Sequence, residues 1–234
     1  MKVVMAVLSN LLVDRLSRPL RSALLALSKP CELRLSEILC EAGVPTQFVY
    51  FPTHCYVSLI SENPGSPGVE VGMVGREGMV GAHVVLGVMK QPLHAVVQGA
   101  GEALRIPARA FRKLLDDSPV LQAMLQKYLY IVMAQSATSA GCQRFHEVEP
   151  RLARWLLMSQ DRAQSDRFQL THEFLASMLG VRRVGITVAA GNLQNLGFIE
   201  YHRGAMHVID RPGLREAACQ CYDADSASYA TVLG

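Results

Sequence analysis

The sequence predicts an α+β chain in three successive parts: a barrel or jelly roll of short strands, one long helix, and two short helices closed by a hairpin. Three observations carry this. Residues 31–107 alternate short apolar stretches with Gly, Pro, Asn and Ser clusters, the texture of many short strands. From Ser118 onward, apolar residues keep a 4,3,4,3 spacing over a length no strand reaches. Residues 170–210 hold two helical stripes separated by Gly180, then an alternating segment centred on His202-Arg203-Gly204-Ala205.

Composition sets the outer bounds. A chain of 234 residues suits one large or two modest domains. With 50% hydrophobic and 18% charged residues it is not intrinsically disordered, and Gly 18, Pro 11 and Cys 6 exclude collagen-like and disulfide-scaffold classes. The net charge of +3 says little by itself. Its distribution says more: residues 142–215 carry ten arginines and no lysine, whereas residues 216–234 carry three acids and no base. A basic block before an acidic tail suggests local attraction for an anionic partner. The cysteines, at 31, 40, 55, 142, 219 and 221, show no CxxC spacing, which suits reduced thiols. The run VVMAVLSNLLVDR is broken by Ser9, Asn10 and Asp14 and lacks a small-residue cleavage site, so it does not read as a signal peptide. No stretch approaches 18 apolar residues, and a cytoplasmic protein without a membrane partner is expected.

The elements follow in order. Leu8, Leu12, Leu16 and Leu20 predict an amphipathic helix over residues 5–28, kinked at Pro19. LRLSEIL, QFVYFP, YVSLIS, VEVGMV, HAVVQ and EALRIP read as strands, with turns at Gly43-Val44-Pro45, at residues 63–68 and at Gly99-Ala100-Gly101. Ser118 suits the N-cap of the long helix and Pro119 its first position, where a missing N–H costs nothing. Leu121, Leu125, Tyr128, Val132, Gln135, Ser139 and Cys142 then form a seam that could pair two chains through Leu121, Leu125, Tyr128 and Val132. The same seam also fits a helix docked on its own barrel. A further helix is expected over residues 151–163, followed by a polar spacer at 164–166. The expected division is 1–117, 118–145 and 146–234.

Residues 170–210 carry the chemistry. Thr171 can cap a helix whose buried stripe is Phe174, Leu175, Met178 and Leu179. Gly180 suits the left-handed residue that ends it. A second helix opens at Arg182, with Ile186, Ala190, Leu193 and Leu196 as its buried face, and ends at Gly197. Such a pair is a helix-turn-helix, whose second member can enter a DNA major groove. The hairpin after it places His202 and Arg203 near a phosphate backbone.

These residues resemble a known family. The stretch LTHEFLASMLGVRRVGITVAAGNLQNLGFIEYHRGAMHVIDR is similar to the winged helix-turn-helix of the CRP/FNR family of bacterial transcription regulators. VEVGMVGREGMVG is similar to that family's cyclic-nucleotide-binding-type domain, and the order of parts matches over nearly the whole chain. The resemblance implies a homodimer, double-stranded DNA as partner, and RNA polymerase contact in an activator. On the recognition helix it assigns base reading to Arg183, with Arg182, Thr187 and Asn192 as further contacts. The family's Glu and second Arg are here Val184 and Val188, so the DNA site should differ from the family's best-known one.

The pocket departs too. Gly81-Ala82 stands where the family uses Gly-Glu for a ribose, and Leu93-His94-Ala95 where it uses an Arg for the cyclic phosphate. Without that Arg, cyclic AMP bound in the usual way is disfavoured. Glu77, Gly78, Gly81, Ala82 and His94 mark the place of any other effector, whose identity the sequence leaves open. Cys31, Cys40 and Cys55 are too dispersed for the family's iron–sulfur cluster, and nothing selects a haem. Cys142 and Cys219-Gln220-Cys221 invite a thiol-switch or metal hypothesis, but the C-x-C spacing is weak, buried inert thiols are the commoner reading, and no metal site is assigned. No G-x-S-x-G, P-loop, H-E-x-x-H or G-x-G-x-x-G is present, so an enzyme is not expected. The rival reading is a redox- or ligand-sensing module whose winged domain binds a protein rather than DNA.

Overall fold

A computed structural model describes residues 9–62, 65 and 68–234. The expected helical start at residues 5–8, and positions 63, 64, 66 and 67 of the expected turn, lie outside the described residues. The chain divides into two compact units. The first comprises Met1–Leu59 and Met73–Tyr130, the second Ile60–Gly72 and Ile131–Gly234.

The first unit opens with two short helices rather than one kinked helix: α1 (Leu11–Asp14) and α2 (Arg18–Leu27). Pro19 stands in the first turn of α2, where a proline forfeits no hydrogen bond; inside a continuous helix it would have cost one. Asn10 caps α1, accepting from the Leu12 and Val13 amides at 3.1 Å each. Its Nδ2 donates to the Pro52 and Gly78 carbonyls at 2.9 Å each, so this buried amide is well satisfied.

Among the described residues seven strands follow in chain order: β1 (Lys29–Leu33), β2 (Ile38–Cys40), β3 (Phe48–Pro52), β4 (Tyr56–Ser61), β5 (Val69–Val74), β6 (His94–Gly99) and β7 (Gly101–Pro107). They form two open sheets, β1-β7-β3 and β2-β6-β4-β5, a jelly-roll arrangement and not a closed barrel. LRLSEIL is not one strand. Ser36 takes a positive φ of 64°, and the turn there separates β1 from β2. Phe51 meets Phe111 of α3 (Ala108–Asp116) edge-on at 5.9 Å in a core lined by Val49, Val57, Val97 and Ile106.

The long helix α4 spans Pro119–Phe145, and Ser118 Oγ accepts from the Leu121 amide as a cap should. The expected pairing seam is already covered within one chain. Leu121, Leu125 and Tyr128 are at most 1% exposed, which corrects their assignment to a dimer face, while Val132 is half-buried. The Tyr128 hydroxyl accepts the Met79 amide at 3.1 Å and lies 3.3 Å from the Met79 carbonyl. Only glycine fits at Gly78, because a Cβ there would overlap that hydroxyl. The exposed stripe of α4 is instead Ala123, Gln126, Tyr130, Met133, Ala137 and Ala140, again with heptad spacing.

The second unit is built on α5 (Val148–Ala163), whose Leu152, Ala153, Leu156 and Leu157 are wholly buried. Around it lie β8 (Arg167–Gln169), α6 (His172–Leu179), α7 (Arg183–Asn195), β9 (Ile199–His202), β10 (Ala205–Val208), α8 (Arg211–Ala217) and α9 (Cys221–Leu233), with the sheet order β8-β10-β9. Trp155 packs edge-on against Phe174, which is half-buried rather than buried, and its Nε1 donates to Glu70 at 3.0 Å. Two acids of the tail pair with arginines of the basic block. Arg154 pairs with Asp225, Arg215 with Asp223 and Arg211 with Asp161, while Arg151 and Arg162 donate to the Leu179 and Met158 carbonyls. At least half of the ten arginines are thus engaged in internal contacts, and Arg144 also lies over the Phe145 ring.

Candidate nucleic-acid interface

Thr171 Oγ1 accepts from the Phe174 amide at 3.1 Å and starts α6. Gly180, at φ +62°, ends it, and the Val181 amide closes onto the Ala176 carbonyl at 3.0 Å. A side chain at Gly180 would suffer the left-handed backbone and bring its Cβ within 3.1 Å of Val69. The chain then turns through 108° into α7, within the usual helix-turn-helix range. Ile186, Ala189, Ala190 and Leu193 fix the inner face of α7. Leu196, expected there, is 57% exposed, because the helix ends at Asn195 and Leu196 lies past its last turn.

The outer face carries Arg182, Arg183, Val184, Thr187, Val188 and Asn192, all exposed. Arg182 stands at the N-cap without a side-chain cap bond. Arg183 has Glu173 4.0 Å away, a solvated pair worth little. Each of the other two contacts has a polar atom engaged within the chain. Asn192 Nδ2 donates to Glu149 at 2.7 Å. Thr187 Oγ1 donates to the Arg183 carbonyl at 3.2 Å, which leaves it to accept from Nδ1–H of His172 at 3.1 Å.

His172 is not legible in the sequence as a site residue. Its ring stacks on Tyr201 of β9 at 4.4 Å and so joins both helices of the motif to the wing. Burial, and then the Arg183 charge, hold its pKa below the usual imidazole value. The wing is a two-residue hairpin, with His202 opposite Ala205 and both Arg203 and Gly204 at positive φ. His202 and Arg203 are exposed at its tip.

The expected effector residues lie in the first unit, on the stretch after β5 and at the start of β6. Gly78 is packed under Tyr128, and Glu77 Oε1 accepts the Gly75 amide at 3.0 Å. Gly81, at φ +85°, opens the 3-10 turn Ala82–Leu86, and His94 is half-buried at the head of β6. Within that turn, His83 Nε2 lies 2.8 Å from Thr46 Oγ1, a pairing no sequence signal marks.

The second unit also gathers a possible metal-holding set. Cys142, His146, Cys219 and Cys221 present ligand atoms within 4.8 Å of one another. The sequence singles out the three cysteines but does not join His146 to them. The available signal is a Cys-x3-His pair on one helix face and a Cys-x-Cys pair 77 residues away.

Residues 150–217 match the family model of the Crp-like helix-turn-helix domain. No curated protein matches the sequence. Among solved structures, FixK2 from Bradyrhizobium japonicum aligns with a TM-score of 0.69 at 13% identity, covering 82% of this chain and 98% of that one. A CRP/FNR-family transcriptional regulator from Thermus thermophilus gives 0.67 at 19% identity, covering 81% and 98%. The c-di-GMP-responsive global regulator CLP of Xanthomonas campestris gives 0.66 at 16%, covering 82% and 99%. The chain therefore shares the fold of these solved regulators, with a Crp-like helix-turn-helix domain over residues 150–217. Among the described residues no single helix is long and apolar enough to cross a membrane.

Proposed function

We propose that this chain is a homodimeric, sequence-specific transcription regulator of the cytoplasm, acting on a near-palindromic DNA site and not as an enzyme. The observation that carries the reading is the outer face of α7. Arg182 and Arg183 stand free of strong internal partners at the entering end of the second helix, and Arg203 and His202 project from the adjoining wing. Arg183 reads a guanine edge in the major groove, and Val184 and Val188, 65% and 58% exposed, contact thymine methyl groups. The wing meets flanking phosphates. The dimer forms through Ala123, Tyr130, Met133, Ala137 and Ala140 of α4, whose small residues allow close approach. Two-fold symmetry then sets the half-sites one helical turn apart, about 34–36 Å.

The sensor unit takes an effector other than cyclic AMP held in the usual way, since Ala82 and Leu93 supply neither carboxylate nor guanidinium. Neither an iron–sulfur cluster nor a haem belongs to this reading, and RNA polymerase is a partner where the protein activates.

The test is selection of bound duplexes from a random DNA library at moderate salt, without added ligand and then with cyclic nucleotides. Enrichment of a palindromic site, lost steeply as salt rises, is the expected result. Arg183→Ala should cost about 1–3 kcal/mol of binding and relax preference at one base position. A uniform loss across all sequences would make Arg183 a phosphate contact. Failure to enrich under any condition, together with salt-insensitive capture of a protein through α7, would overturn the DNA reading.

A further inference from the structure

We infer that Cys142, His146, Cys219 and Cys221 form a tetrahedral zinc site that ties the end of α4 to the segment joining α8 and α9. Cys142 and His146 stand four residues apart, and the His146 amide still donates to the Cys142 carbonyl at 3.1 Å, so both side chains leave one helix face. Cys219 and Cys221 flank Gln220, the residue that opens α9, and the Cys219 amide donates to the Pro150 carbonyl at 3.3 Å. All four groups belong to the second unit.

Two of the spacings match the edges of a coordination shell, and all four ligand atoms lie within 4.8 Å of one another. Cys142 Sγ and Cys219 Sγ are 3.5 Å apart, and Cys221 Sγ and His146 Nδ1 are 3.6 Å apart. Zinc bonds of about 2.3 Å to sulfur and about 2.1 Å to nitrogen give tetrahedral edges of about 3.8 and about 3.6 Å. The two sulfurs are also well outside the bond length of a disulfide, about 2.05 Å. Three thiols and one imidazole are a soft donor set that suits zinc and not a hard cation. Four protein ligands leave no open position, so the ion cross-links and does not catalyse.

Charge agrees with this. Three thiolates around a dication carry one excess negative charge, and the buried guanidiniums of Arg151 and Arg154 lie close enough to interact with Cys142 and Cys219. His146 is exposed and Cys221 half-buried, which leaves a path for the ion.

The experiment uses the full chain, reduced, stripped of metal with a chelator and titrated first with Co2+ and then with Zn2+. One equivalent of Co2+ should give thiolate-to-cobalt charge-transfer and four-coordinate d–d bands that Zn2+ abolishes, and Zn2+ should raise the melting temperature. Cys221→Ser and His146→Ala, both on the accessible side, should each weaken Zn2+ binding about tenfold or more, while Cys31→Ser leaves it unchanged. The inference is overturned by the absence of a cobalt spectrum, by a spectrum that survives both substitutions, or by equal weakening in Cys31→Ser. It is also overturned if Cys142 and Cys219 form a disulfide in air and the reduced chain takes up no metal. None of these readouts involves DNA.

Discussion

Tyr128→Phe should lower stability by about 1–3 kcal/mol without changing the oligomeric state. Tyr128 is wholly buried, and its hydroxyl accepts the Met79 amide and lies within bonding distance of the Met79 carbonyl. Phenylalanine keeps the ring and removes both interactions. The carbonyl loses little, but the Met79 N–H is left without its acceptor in a packed core, and a stranded donor of this kind costs about 1–3 kcal/mol. The space of one oxygen is too small for water to enter and replace it. For a chain of this size each kcal/mol moves the melting temperature by about 2–4 °C, so the shift should be roughly 2–12 °C. Urea unfolding followed by circular dichroism, at two protein concentrations tenfold apart, is the assay.

The concentration series makes this a test of the helix and not only of one bond. If Tyr128 faces its own chain, its loss is the same at both concentrations and sedimentation is unchanged. Met133→Glu, on the exposed stripe, should instead promote dissociation and leave the unfolding of the separated chain nearly unaltered. A Tyr128→Phe loss below about 0.5 kcal/mol, or one that grows on dilution, would refute the assignment of the two faces.

Asp225→Ala leaves Arg154 buried without its carboxylate and should cost about 3–5 kcal/mol in the same unfolding assay; a loss under about 1 kcal/mol would mean that the guanidinium reaches water. Thr171→Ala removes the α6 cap and should cost about 1 kcal/mol, with Thr171→Ser restoring most of it. The lowered pKa of His172 means that the unfolded chain takes up the proton more readily than the folded one. Its contribution is therefore present above the ordinary imidazole pKa and is lost as pH falls below it. The melting temperature should drop more steeply between pH 7 and pH 5 than in His172→Gln, and equal slopes would remove His172 from the linkage.

Much of this was legible from spacing alone. YVSLIS and VEVGMV coincide with β4 and β5, and Thr171, Gly180 and the wing tip stand where their local chemistry put them. These are signals contained within a few residues. The failures are of another kind. A 4,3 stripe on α4 states that a face is covered but not by what, and here the same chain covers it. Arginine count measured a basic block but not its internal partners, which lie on segments as distant as Asp225. The Cys–His set combines residues up to 79 positions apart (142 to 221), so no window along the chain contains it.

On the proposed DNA-reading role, the engaged residues on α7 change what kind of reader it would be. With Asn192 bonded to Glu149, and Thr187 bonded to both His172 and the Arg183 carbonyl, two of the side chains expected to read bases also brace the helix. The brace runs from α7 through His172 to Tyr201, so helix and wing are held as one piece before DNA arrives. That lowers the ordering cost of binding, since only the long arginines must give up rotamer freedom, up to about 2 kcal/mol each. It also narrows the code. One bidentate arginine supplies about 1–3 kcal/mol of discrimination at one base pair, and the two valines add only apolar contact. A surface of this kind gains much of its affinity from phosphates at the wing and needs both half-sites to reach a selective total. On this reading dimerisation through the exposed stripe of α4 is a requirement of recognition, not an accessory to it.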